Sequence, residues 1–215
     1  YCFRRHFPYQ ENTLTARDID GLVSYLKAHP EVNEVILSGG DPLMADDQAL
    51  SGLFVRLESV SSIHRLRIHT RLPIVIPERV TDTLCQIIAA TALPVVMVLH
   101  SNHANEIDQS VMDAVSQLRV VCRSVLNQSV ILKGINDSAD VLIALSERLF
   151  EAGIDPYYLN VLDRVSGAHH FDVSDLEVAA LHQALLNALP GYLVPKLVRE
   201  VPGIGHKVQW KGTTH

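Results

Sequence analysis

Hydrophobic residues in this chain follow two alternating spacings: short unbroken runs, and longer stretches in which they recur every three or four positions. The first marks buried strands and the second amphipathic helices. Thr13 to Ala28 reads as a helix, with Ile19, Leu22, Val23 and Leu26 at helical spacing and Pro30 ending it. Val35-Ile36-Leu37 is a short buried strand, and Asp47 to Leu57 a helix with Leu50, Leu53, Phe54 and Leu57 on one face. Leu66 to Thr70 follows as a strand, then Thr81 to Ala90 as a helix that Thr81 can cap. Val95 to Leu99 is a fully apolar strand ending in His100, and Asn105 to Leu118 is helical. Val125 to Leu132 contains the next strand, and Ala139 to Ala152 is a helix closed by Gly153. Tyr157 to Val161 is a strand, and Ser174 to Leu189 a helix closed by Pro190-Gly191.

Five strand–helix units in series predict an α/β protein with a parallel sheet and right-handed crossovers. Strands this apolar fit a sheet covered on both faces. A full barrel takes eight such units and about 250 residues. A partial (β/α)6 barrel, its first strand ending at or before Cys2, suits 215 residues better. Residues 1–190 would form the barrel. The Gly- and Pro-rich tail, residues 191–215, would fold over the sheet and deliver a lysine.

Polar residues cluster just after the strands: Ser38-Gly39-Gly40-Asp41, His69-Thr70-Arg71, His100-Ser101-Asn102-His103, Lys133 to Asp137, and Asp163. In parallel α/β folds the C-terminal strand ends share one face, so these residues would converge on one site. Loops are polar in any protein, but five consecutive ends rich in His, Arg, Asp and Asn favour an enzyme.

Composition narrows the class. A hydrophobic share of 47% with 20% charged residues is that of a globular protein. The net charge of −6 argues against a nucleic-acid face, and no apolar run reaches the roughly eighteen residues of a membrane helix. Cys2, Cys85 and Cys122 are odd in number and far apart, which points to a reducing cytosol rather than a disulfide framework. Cys85 and Cys122 sit in apolar segments and read as small buried hydrophobes.

Three segments carry candidate chemistry. Cys2 stands beside Phe3-Arg4-Arg5-His6, a thiolate next to a basic stretch. Ser38-Gly39-Gly40-Asp41-Pro42 ends a strand in glycines, which let a ligand approach the backbone closely. Glu200-Val201-Pro202-Gly203-Ile204-Gly205-His206-Lys207 is a Gly-punctuated loop delivering a lysine, suited to Schiff-base chemistry; Lys196 is the rival amine.

Together with His69 to Val75, His100 to Ile107, Asn127 to Asp137, Pro156-Tyr157-Tyr158 and Asp163 to Phe171, these segments resemble, in order and over essentially the whole chain, the lysine 2,3-aminomutase family of radical S-adenosylmethionine enzymes. The resemblance implies a partial barrel of the radical S-adenosylmethionine type and an isomerase that converts (S)-α-lysine to (R)-β-lysine. Cys2 matches the last of three cysteines that hold a 4Fe–4S cluster. Ser38, Gly39, Gly40 and Asp41 match the loop that contacts S-adenosylmethionine. Lys207 matches the lysine that carries pyridoxal 5′-phosphate. Arg4 matches the arginine on the substrate carboxylate, while Asp163 and Glu200 match the two acids on its distal amino group. Free-lysine aminomutases have Asp where this chain has Glu200. The stretch Leu193 to Glu200 and a short tail look like the branch serving elongation factor P, to which a separate ligase attaches β-lysine. The chain opens at Tyr1 without an initiator Met, and two of the three cluster cysteines are missing, so the expectation is a fragment of a longer enzyme. Rival readings are a free-lysine aminomutase, a degenerate barrel that only docks on elongation factor P, and a plain pyridoxal-phosphate aldolase or racemase. The last leaves Cys2 and the Ser38–Asp41 loop without a role.

Overall fold

The computed structural model describes residues 16–163, 167–201 and 203–210. The expectations for Cys2 and Arg4 lie outside the described residues. The described residues divide into two compact units: 16–99 with 113–125, and 100–112 with those from 126 to 210.

In the first unit, α1 (Ala16–Ala28), β1 (Glu34–Leu37), α2 (Asp47–Glu58), β2 (Arg65–Thr70), α3 (Leu72–Val75), α4 (Asp82–Ala90) and most of β3 (Val95–His100) follow one another. β1 runs parallel to β2, with Val35 beside Leu66 and Leu37 beside Ile68; β2 runs parallel to β3, with Leu66 beside Val95 and Thr70 beside Leu99. Leu66, Ile68, Met97 and Leu99 are fully buried, as their unbroken apolar runs require. Each such side chain contributes about 1.5–3 kcal/mol by leaving water. On α2 the predicted face, Leu50, Leu53, Phe54 and Leu57, is the buried one. Asp46 caps that helix by accepting from the Ala49 amide, and Thr81 caps α4 through the Leu84 amide.

In the second unit, β4 (Ser124–Val130, entering from the first unit's residues) pairs in parallel with β5 (Asp155–Asn160), and β5 with β6 (Lys196–Arg199). β7 (Val208–Gln209) returns antiparallel on β6. Helices α6 (Ala139–Glu151) and α7 (Asp175–Ala188) complete the crossovers. Ile131, Leu142, Leu159, Val178, Leu185 and Leu197 form the core.

The structure departs from the sequence reading in three places. The helix predicted from Asn105 is a 3-10 turn at Ala104–Glu106, and α5 (Gln109–Val121) starts later. The reason is a change of cap: Asp108 accepts from the Ser110 hydroxyl and the Val111 amide, bonds that hold its carboxyl below the usual range. The strand expected within Val125 to Leu132 is β4, and beyond it the Leu132 amide turns to the Asn136 side chain. The short helix α3 was not predicted, because Pro73 reads as a breaker although the first helical turn tolerates it. β6 continues the parallel ladder beyond the five strands the spacing predicted, and β7 folds back on it. Among the described residues no helix is long and apolar enough to cross a membrane.

Candidate active site

In the first unit, β1 ends in a tight turn. Gly39 has φ 98° and Gly40 φ 57°, a left-handed conformation that side chains resist, so the glycines are required here. Ser38, Gly39 and Gly40 are exposed. Asp41 fixes this turn. Its Oδ1 accepts from the Leu43 amide at 3.0 Å and the Thr70 hydroxyl at 2.6 Å; its Oδ2 accepts from the Arg71 amide at 2.6 Å and the Leu72 amide at 3.2 Å. A carboxylate offers about four lone-pair sites, and all four are used. Asp41 therefore ties the end of β1 to the end of β2, and the exposed groups of the turn are the backbone of residues 38–40. Arg79 secures the following turn by donating to the carbonyls of Leu43 and Ala45 and to the Asp47 carboxylate.

In the second unit, the functional candidates meet where β5 and β6 end. Arg199 pairs with Val208 across the β6–β7 hairpin, which sets Glu200 opposite Lys207 at its mouth. Gly203, at φ 85°, allows the chain to reverse between them. Lys207 Nζ donates to Glu200 Oε1 at 2.7 Å and to Asn160 Oδ1 at 2.9 Å, and lies 6.0 Å from the centre of the Tyr158 ring. Asn160 is the last residue of β5, and its Nδ2 donates to the Ser129 carbonyl at 2.9 Å. Asp163 follows three residues later. Burial, then the negative charge of Glu200, pushes its carboxyl up; Lys207 and Arg199 pull the other way. Arg199 is itself held by a two-point pair with Asp175, at 2.5 and 3.3 Å, and lies 5.5 Å from the Trp210 ring.

This arrangement brings Asp163, Glu200 and Lys207 together. Lys196 is excluded from the group: it opens β6 at the opposite end of the strand, exposed, beside Tyr157. Sequence reasoning missed Asn160. A lone amide within the strand Tyr157–Val161 was the visible signal. It also missed the buried support beneath. Asn127 accepts from the Ser101 amide and donates to the Ser101 carbonyl and the Ser129 hydroxyl; Asn136 donates to the carbonyls of Asn102 and Val130. Asn127 and Asn136 are almost fully buried, and these bonds satisfy them.

The residues fit two of the implied groups. Lys207 is about a quarter exposed and offers an amine to an aldehyde, as attachment of pyridoxal 5′-phosphate requires. The Gly39–Gly40 turn offers open backbone to the polar end of S-adenosylmethionine. The cluster's Cys2 lies outside the described residues. The other cysteines are poor thiolates: burial pushes Cys122 up to about 12 and raises Cys85 as well.

No protein-family model matches the chain. It is 52% identical over 207 residues to the L-lysine 2,3-aminomutase of Haemophilus influenzae, covering 96% of this chain and 61% of that protein. The Escherichia coli protein of the same name is 52% identical over 203 residues, 94% of this chain and 59% of its own length. The Clostridium subterminale L-lysine 2,3-aminomutase is 32% identical over 208 residues, 96% of this chain and 50% of its own length. The chain thus spans about three fifths of the length of the first two and half of the third. Among solved structures, Streptococcus suis SuiB bound to S-adenosylmethionine superposes with a TM-score of 0.62 at 15% identity, over 88% of this chain and 45% of that one. A radical S-adenosylmethionine methyltransferase from Sphaerobacter thermophilus gives 0.56 at 16% identity, over 86% and 58%. At these identities the two share an α/β fold with this chain and nothing more is carried over from them. Through nearly its full length the chain is similar to proteins named L-lysine 2,3-aminomutase.

Proposed function

We propose that this chain is the barrel and lysine-bearing part of an L-lysine 2,3-aminomutase, an isomerase that converts (S)-α-lysine to (R)-β-lysine. The observation that carries the reading is the meeting of Lys207 with Glu200, Asn160 and Asp163 at the ends of β5 and β6. Lys207 holds pyridoxal 5′-phosphate, and the Ser38–Gly40 backbone, fixed by Asp41, receives S-adenosylmethionine. When bound, these groups and a 4Fe–4S cluster on Cys2 supply hydrogen abstraction and stabilise the resulting radical.

The chain's own residues supply position and charge. Asp163 and Glu200 are two carboxylates close enough that one raises the other's proton affinity, and such a pair favours a cation between or beside them. In the protein without substrate, the Lys207 ammonium partners Glu200. With lysine bound, Asp163 and Glu200 would take its distal ammonium. Arg4 takes the substrate carboxylate, a task suited to a planar guanidinium. Asp175 and Trp210 keep Arg199 in place beside them.

The branch that supplies β-lysine to elongation factor P through a separate ligase is the finer reading, in the cytosol. It is supported by the Leu193–Glu200 stretch and by Glu200 in place of the Asp of free-lysine enzymes. The test is anaerobic reconstitution of the protein extended to its relatives' length, with iron, sulfide, S-adenosylmethionine and pyridoxal 5′-phosphate, followed by chiral analysis. Formation of β-lysine is expected. A fully loaded protein that leaves α-lysine unchanged refutes the reading.

A further inference from the structure

The Lys207 ammonium has two acceptors of different kinds, and only one belongs to its own hairpin. Glu200 comes from the opposite strand of that hairpin and moves with it. Asn160 comes from β5, and its side chain is fixed independently of the lysine. Its Nδ2 donates to the Ser129 carbonyl at 2.9 Å. A carbonyl can only accept, so the amide must turn its NH2 that way, which leaves Oδ1 facing Lys207 at 2.9 Å. Ser129 is in turn held from below, because its hydroxyl donates to the Ser101 carbonyl at 2.8 Å and accepts from Asn127 Nδ2 at 2.8 Å. The acceptor offered to Lys207 is therefore anchored through Ser129 to a buried network, while the lysine rides on a loop containing Gly203 and Gly205.

We propose that Asn160 is a positioning residue for Lys207: it aims the amine from the fixed end of β5 through the hydrogen bond it accepts. Four other groups bear on the same amine: Glu200, which pairs with it; Asp163 and Arg199, with which it shares an electrostatic field; and the Tyr158 ring. Asn160 differs from the carboxylates in being neutral. It can keep its place when Lys207 loses its charge, whereas Glu200 then gains a reason to seek another cation. The inference deepens the assignment of Lys207 as the pyridoxal lysine and rests on it for its consequence, although not for its geometry.

The experiment compares acylation of Lys207 by acetic anhydride at several pH values, read by mass spectrometry of the peptide, with no pyridoxal present. Two variants of Asn160 should move it in opposite directions. Asn160→Ala removes the hydrogen bond that holds the amine, so labelling at neutral pH should rise by a factor of about three to ten. Asn160→Asp adds a second negative charge beside the amine, so labelling should fall by a similar factor. Glu200→Gln serves as the calibrating control and should raise labelling. Movement in the same direction in both Asn160 variants, or none, overturns the proposal, because a merely structural role loosens the site in either case. A separate arm adds pyridoxal 5′-phosphate and borohydride. If the pyridoxyl group fails to reach Lys207 while the opposite shifts persist, the functional assignment falls and the positioning role stands.

Discussion

Replacing Asp41 with asparagine is the perturbation whose size can be worked most fully from the structure. The carboxylate accepts four hydrogen bonds, three of them from backbone amides. Asparagine keeps one oxygen and puts an NH2 group where the other stood. With the oxygen toward Arg71 and Leu72, the Leu43 amide faces a donor; the Thr70 hydroxyl can rotate and accept instead. With the oxygen toward Leu43 and Thr70, the Arg71 amide loses its 2.6 Å acceptor, while Leu72 still has Thr70 Oγ1 at 3.1 Å. Either orientation strands one amide and removes the charge from the surviving bonds. A stranded donor costs about 1–3 kcal/mol, and trading a charge-assisted bond for a neutral one costs up to about 1 kcal/mol more. The expected loss is therefore roughly 1–4 kcal/mol. Urea unfolding followed by far-ultraviolet circular dichroism at pH 7 measures it, as a lower midpoint at unchanged slope. A loss below about 0.5 kcal/mol would mean that the carboxylate is not the tie described here and is open to a ligand.

Two further outcomes follow from the charges and thiols. Burial and Glu200 raise the Asp163 carboxyl above its ordinary 3.8, so the native state holds that proton more tightly than the unfolded chain does. Its stabilising contribution is present below the ordinary value and is lost as pH rises through the raised one. Asp163→Asn should accordingly stabilise the chain more at pH 7 than at pH 3 in paired thermal melts; the reverse order contradicts the burial and repulsion assigned to it. Cys122, pushed up to about 12, should resist a thiol-specific disulfide reagent at pH 8 until the chain is unfolded, with Cys85 reacting slowly; rapid native labelling of Cys122 contradicts its burial.

Much of the fold was legible because its determinants are local. The α2 and α6 helices begin where Asp46 and Ser138 can cap them, and their apolar spacing runs unbroken to the far end. The β6–β7 hairpin was harder to read. Strands of four and two residues carry no usable period, and their partners lie elsewhere in the chain. The site divides in the same way. Glu200 and Lys207 stand seven residues apart around a Pro-Gly turn, a spacing compatible with a hairpin mouth, yet without the register it does not reveal their ion pair. Asn160 reaches Lys207 across 47 residues, and only the parallel register of β5 with β6 brings them together. The hydrogen bonds of Asp41 to residues 70 to 72 could not be read from the sequence, because these donors become its neighbours only through the β1–β2 ladder.

The central claim is that Lys207, rather than any other lysine, carries pyridoxal 5′-phosphate. Incubation with the aldehyde, reduction with borohydride and peptide mapping test it most directly. The account predicts the pyridoxyl group on Lys207, lost in Lys207→Ala and retained in Lys196→Ala. A label on Lys196, or one that survives Lys207→Ala at full stoichiometry, would contradict it.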